Sequence, residues 1–264
     1  MNFKSFRKNL IYTQMLHKMQ YFSDQEGIMR RYIQEKNNWD LHLKKSKDFI
    51  LKSAETKKKG KVVILGSGWL LDLPIDELSN QFEEVILVDI IHPKQVLHKI
   101  KKYKNVTALK ADITGGLIDF IYHSLKTDKR KKQKTLISAA NSFSFSLPKN
   151  TDFVISLNIM CQLHIILIDY IKKHYNLTDS ELHNLILQIQ QSHIRMLPDE
   201  KSCIITDMEE EILTETDQTI GIKPLVQIKL SKGNFSSSWQ WKFDSLMTYK
   251  DDVKTFFNTT AIDF

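Results

Sequence analysis

Two hydrophobic rhythms divide the chain near residue 60. Before that point apolar residues return at helical spacing: Ile11, Met15 and Met19, then Ile28 and Tyr32, then Trp39 and Leu43, with no proline and a single glycine, Gly27. This predicts two or three helices docked on a main body, ending at Lys57–Lys59 and Gly60. Beyond it come short unbroken apolar runs, as expected of strands buried on both faces. Lys61–Leu65, Glu84–Asp89, Asn105–Asp112, Asp152–Asn158 and Ser202–Asp207 read as five such strands. Helical stretches separate them: one opening at Pro74, then 96–103, 161–174 and 178–197. Strands alternating with helices imply parallel pairing. Pro224–Leu230 and Ser238–Phe243, joined across a Gly/Asn turn, read instead as an antiparallel hairpin. The expected fold is α/β: a doubly wound, mostly parallel seven-stranded sheet ending in an antiparallel hairpin. Residues 1–59 form an N-terminal helical extension and residues 60–264 the main domain.

Composition narrows the function classes. Hydrophobic residues make up 42% and charged residues 26%, the balance of an ordinary globular domain. Cys161 and Cys203 sit in apolar segments without CxxC or Cys/His spacing, which argues against a disulfide scaffold and a zinc site. No apolar run reaches the ~18–20 residues that span a bilayer, and the first residues show no signal-peptide pattern. A cytoplasmic protein with no membrane partner and no metal is expected. The net charge of +7 is unevenly placed, because residues 1–61 alone carry +9 and the rest −2. A second basic run, residues 126–134, packs six cations into nine positions. Such segments attract nucleic acid or simply form a solvated surface.

The chemistry gathers at the strand ends. Gly66-Ser67-Gly68-Trp69 follows the first strand, where glycine lets backbone approach a ligand closely. The second strand ends in Asp89, 21 residues after Gly68. A carboxylate there can accept from both hydroxyls of a ribose. The third ends in Asp112-Ile113, a carboxylate able to receive an adenine amine. Either aspartate alone is equally a turn or helix cap. Together they describe a nucleotide site on one sheet edge.

VVILGSGW, ILVDI, ALKADI and DFVISLN resemble, in order and spacing, the successive motifs of class I S-adenosylmethionine-dependent methyltransferases. The resemblance runs from residue 60 to about 245 and extends to the reversed terminal hairpin. It implies S-adenosylmethionine as cofactor, with Gly66, Ser67 and Gly68 on the methionine part and Asp89 on the ribose. Ile90 would lie against the adenine, Asp112 and Ile113 at its edge, and Asn158 toward the sulfonium and acceptor. Trp69 either packs on the cofactor or plugs the core. The chain departs from the family at Ile64, where an acid is usual, at Leu70, which replaces a third glycine, and in a helix that starts late. The N-terminal block also resembles bacterial methyltransferase-like proteins of unassigned substrate.

Methyl transfer needs positioning, and a base only when the acceptor must lose a proton. The fourth strand exits through Ser156-Leu-Asn158-Ile-Met-Cys-Gln162, which makes Asn158 a candidate catalytic residue and Gln162 an acceptor-binding one. It lacks the Asp/Asn-Pro-Pro-aromatic pattern of enzymes that methylate nucleic-acid amines, so a small-molecule acceptor is favoured. His193, late on a long helix, is a second candidate base or a satisfied helix histidine. Asp207 closes the fifth strand and could line the acceptor pocket or cap. Arg31 and Trp39 are candidates for a lid over it. The long stretch between the third and fourth strands, with Ser138–Ser146, could shape a pocket or be a surface insertion. The expected activity is a methyltransferase. The alternatives are an inactive methyltransferase-like binding protein, an NAD(P)-dependent oxidoreductase, and an RNA-binding module built on the N-terminal helices.

Overall fold

The computed structural model describes residues 3–124 and 140–264, with side chains from residue 10 onward. The basic run 126–134 and Ser138 lie outside the described residues. Two helices come first, α1 (Phe3–Lys18) and α2 (Tyr21–Glu55). Then follow β1 (Lys61–Leu65), α3 (Ile75–Gln81), β2 (Glu84–Asp89), α4 (Lys94–Lys99), β3 (Val106–Lys110) and α5 (Leu117–Ser124). The second half runs β4 (Phe153–Leu157), α6 (Ile165–His174), α7 (Asp179–Met196), β5 (Ser202–Leu213), β6 (Thr219–Pro224), β7 (Phe235–Asp244) and β8 (Lys254–Asp263).

The sheet order is β3-β2-β1-β4-β5-β8-β7, with β6 paired to β5 off this path. The first five strands pair in parallel, in registers such as Val62↔Val85 and Val62↔Phe153. β8 runs antiparallel to both β5 and β7. The unbroken apolar runs have a direct cause. Val62 and Ile64 of β1 point into one core, with Phe49 and Ile50 of α2 and Leu78 of α3. Val63 and Leu65 point into the other, with Trp39, Leu43 and Met160. Alternate side chains leave opposite faces of a strand, so a strand covered on both faces must be apolar throughout.

The antiparallel hairpin closes the sheet as the fold class requires, but different residues build it. It is β7 with β8, and 225–230 form no strand. Leu225 and Val226 are buried instead, both backbone N–H groups donating to the Met208 carbonyl. The apolar run there was filling a core, not pairing. The path holds seven strands and β6 brings the sheet to eight.

The N-terminal block is two helices. At Glu35 the second has non-helical backbone (φ −105°, ψ 17°) and kinks. The buried Glu35 carboxylate accepts from Ser245 N–H (2.6 Å), Leu246 N–H (2.9 Å) and Asn38 Nδ2 (2.7 Å). That fastens the kink to the loop after β7. Past it, Trp39 stacks on Phe243 and meets Trp241 edge-on, while its indole N–H donates to the Phe243 carbonyl at 2.9 Å. Met15 and Leu16 of α1, with Met19 just after it, pack with α5, α6 and α7. The extension is therefore part of the wall around the sheet's carboxyl edge. Among the described residues no helix is long and apolar enough to cross a membrane.

Candidate functional site

In a doubly wound sheet the crevice opens where strand order reverses, here outside the carboxyl ends of β1 and β4. A cleft of about 1060 Å³ lies there, reached by Gly66–Trp69, Asp89–Ile91, Asp112–Thr114 and Leu157–Ile159. Sites for small molecules are typically ~300–1,000 Å³, so there is room for a nucleoside and a second molecule.

The glycine loop is shaped by close approach on one side and open space on the other. A Cβ on Gly66 (φ +81°) would lie 2.6 Å from Ile159 Cβ and 2.7 Å from the Leu157 carbonyl oxygen. Gly66 N–H donates to the Val88 carbonyl at 2.9 Å, tying the loop to β2. Gly68 (φ +47°) looks into open space, the nearest atom to a Cβ there being Gly66 O at 3.9 Å. Its N–H donates to Asp89 Oδ2 at 2.8 Å. The buried Ser67 Oγ has no hydrogen-bond partner among the described residues. A cradle bare of side chain next to an unsatisfied hydroxyl fits a polar ligand at the loop.

Asp89 and Asp112 differ. Asp89 holds Gly68 N–H and a long contact from Ile91 N–H (3.4 Å), which leaves acceptor capacity on both oxygens. Burial raises its pKa against the pull of the Gly68 N–H. Asp112 accepts from Thr114 N–H (2.8 Å), Thr114 Oγ1 (2.5 Å) and Gly116 N–H (3.1 Å). Burial raises its pKa too. It caps the turn into α5, the alternative open in the sequence, while still lining the cleft with Ile90 and Ile113. Trp69 packs against the core, and its indole N–H donates to the Gln25 carbonyl of α2 at 2.8 Å. Gln25 Nε2 donates to the Ile91 carbonyl, also at 2.8 Å. The first turns of α2 are thus fastened directly over the glycine loop and the end of β2.

The floor is assembled from four elements. Asn158, held at φ +48° just past β4, donates from Nδ2 to Asp72 Oδ2 at 2.9 Å. Its buried Oδ1 has no partner among the described residues. His42 of α2 brings Nε2 to 3.3 Å from the same amide nitrogen. Trp239 Nε1, which can only donate, is 3.1 Å from His42 Nδ1. The neutral ring is thus wedged between Trp239 and the Asn158 amide, with no free nitrogen toward the cleft. Burial pushes the His42 pKa down to about 3, so the ring stays neutral, stacked on Trp241 with centroids 3.9 Å apart. Asp207, on β5, accepts from Thr259 Oγ1 at 2.6 Å and lies 3.9 Å from Cys161 Sγ. Burial, with the nearby Asp72 carboxylate, pushes its carboxyl up to about 7.

The structure thus brings together Gly66, Ser67, Gly68, Trp69, Asp89, Ile90, Asp112, Ile113, Asn158, Gln162, Asp207, Arg31 and Trp39 on one cleft. Arg31 lies over the rings of Phe243 and Tyr249, 4.6 Å from each centroid, and desolvation lowers its pKa. His193 is the exception. It faces the sheet rather than the cleft, is 2% exposed, and its Nε2 is 2.7 Å from Ser156 Oγ. Burial pushes its pKa down to about 3. The enclosed ring is turned away from the cleft, and its Nδ1 has no partner among the described residues. Sequence reasoning did not single out His42 or Asp72. The signal for His42 was a polar residue between Trp39 and Leu43 on an otherwise apolar stripe.

No protein-family model matches the chain, and no curated protein matches it. Several solved structures align with it. N-methyltransferase NodS of Bradyrhizobium japonicum WM9, in complex with S-adenosyl-L-homocysteine, shares 8% identity over 84% of this chain and 87% of that one, with TM-score 0.38. The 1,6-didemethyltoxoflavin-N1-methyltransferase of Burkholderia thailandensis shares 9% identity over 91% and 87%, with TM-score 0.39. A SAM-dependent methyltransferase from Aquifex aeolicus shares 14% over 81% and 88%, with TM-score 0.37. The sheet is mostly parallel with a reversed terminal hairpin, the α/β arrangement expected from the sequence.

Proposed function

We propose that this protein is an S-adenosylmethionine-dependent methyltransferase acting on a small molecule. The observation that carries the reading is the meeting, at one switch-point cleft, of the open Gly68 cradle, the orphaned Ser67 hydroxyl and the free acceptor sites of Asp89. Gly66–Gly68 would hold the methionine end, Asp89 the ribose hydroxyls, and Ile90 and Ile113 the adenine faces. When bound, the cofactor supplies an electrophilic methyl group on a sulfonium.

The chain's own residues do the rest. Asn158 presents an acceptor at the floor, and His42, wedged between Trp239 and the Asn158 amide, helps hold it in place. Trp39, Trp241 and α2 keep that end apolar and dry, which strengthens each polar contact there. The fastening of α2 at Gln25 and Glu35, which walls the cleft on that side, supports a small acceptor over a folded nucleic acid.

Calorimetric titration with S-adenosylmethionine, S-adenosylhomocysteine and NAD, repeated on Asp89→Ala, tests the reading. Both sulfur nucleosides are expected to bind, NAD is not, and the variant loses at least tenfold in affinity. Failure of both nucleosides to bind sinks the assignment. Binding without turnover across an acceptor screen leaves a non-catalytic relative.

A further inference from the structure

The floor of the cleft has a charge pattern that the cofactor does not explain. Asp72 comes from the loop after β1 and Asp207 from β5, near enough for the Asp72 carboxylate to raise the Asp207 pKa. Glu210, one turn of the strand further on, is neutralised by Lys250 Nζ at 2.6 Å. No described cation forms a salt bridge with Asp72 or Asp207, and Lys47 is felt by Asp72 only at a distance. The other groups facing Asp207 are the Thr259 hydroxyl and the Cys161 thiol, which burial keeps protonated. Beside the two carboxylates sits the unpartnered Asn158 Oδ1. The lining also includes Trp241, stacked by His42, and Phe243, under the Arg31 guanidinium.

Two uncompensated acids and a free carbonyl oxygen repel an anionic acceptor and want N–H donors. Aromatic and aliphatic side chains in the lining favour an apolar body beside them. We infer, on the methyltransferase reading above, that the acceptor is a small amine on an apolar body, bound at Asn158, Asp72 and Asp207, and that Asp207 takes its proton. The neutral amine donates one N–H to Asn158 Oδ1 and turns its lone pair to the methyl group. The N–C bond forms as the C–S bond breaks, and the electron pair leaves with sulfur. The proton then carried in excess by nitrogen passes to the Asp207 carboxylate. A carboxyl held near neutrality is matched to that task.

The test uses the whole chain saturated with S-adenosylhomocysteine and, in parallel, the chain alone. Probes are phenethylamine, benzylamine and hexylamine, each titrated beside its alcohol counterpart. Each amine is expected to bind at least tenfold tighter than its alcohol. Asp207→Asn should cut that preference below threefold, leave nucleoside affinity within threefold, and abolish a protonated-carboxyl infrared band that wild type loses between pH 5 and 8. Asp72→Asn should weaken the same preference, which guards against a folding defect in one variant. Alcohols binding as well as amines, no amine binding in either series, or a preference that survives both substitutions overturns the inference. Loss of nucleoside binding in wild type fails the methyltransferase reading instead, and the series without nucleoside still decides the amine site.

Discussion

Asp207→Asn should make the protein more stable, and increasingly so as pH rises. The folded-state carboxyl stands at about 7 against its ordinary 3.8. The folded state therefore holds a proton that the unfolded chain has released between those values. Below 3.8 both states are protonated and the group contributes nothing. Through the window stability falls as pH rises, and above about 7 the cost is constant. Each pKa unit corresponds to ~1.4 kcal/mol, so the full cost approaches about 4 kcal/mol. Asparagine keeps an acceptor for the Thr259 hydroxyl, now 2.6 Å from Asp207 Oδ1, and carries no charge. Urea unfolding of both proteins at pH 4.5, 6 and 8 should show a gap that widens from under 1 to about 2–4 kcal/mol. A gap that is flat with pH, or a variant less stable at pH 8, refutes the idea that an uncompensated charge is held there.

Other substitutions separate architecture from site. Gly68→Ala fills the open cradle without meeting protein, so it should cost about 1 kcal/mol for its positive φ but at least tenfold in S-adenosylhomocysteine affinity, by calorimetry. Gly66→Ala, whose Cβ would sit 2.6 Å from Ile159 Cβ, should destabilise by ~2 kcal/mol or more in thermal melts. Glu35→Ala strands the N–H groups of Ser245 and Leu246 and should cost about 3 kcal/mol, with faster hydrogen exchange at both. His193→Gln should lower stability while leaving nucleoside affinity unchanged, whereas His42→Phe should weaken amine binding; equal effects of the two would contradict the placement of the rings.

What the sequence disclosed follows from the parallel sheet. Such a sheet delivers every strand's carboxyl end to one edge, so Gly66, Gly68, Asp89, Asp112 and Asn158 could be located by strand counting. What it hid are contacts that need two distant pieces of chain. His42 meets Asn158 across 116 residues and Trp239 across 197. Nothing local distinguishes it from a polar position on an amphipathic helix. His193 shows the converse. Its helical context left a base and a satisfied helix histidine both open, and only packing decides whether a helix histidine faces cleft or core. Residues 225–230 were misread because an apolar segment that plugs a core has the same pattern as a strand.

The two ends of the cleft are finished at different times. The glycine loop, β2 and β4 all precede residue 160, so the nucleotide half can take shape while the chain is still emerging from the ribosome. The other half joins Trp39 to Phe243, 204 residues apart, and Glu35 to Ser245, 210 apart. Until β7 is made, α2 has no partner for its aromatic face, and long-range closure of this kind is the slow part of folding. A nascent chain stalled before residue 235 would hold the glycine loop, Asn158 and Asp207 but not the aromatic residues of β7 that close on α2. Synthesis itself thus orders the cleft, its glycine-loop end first and its α2–β7 wall last.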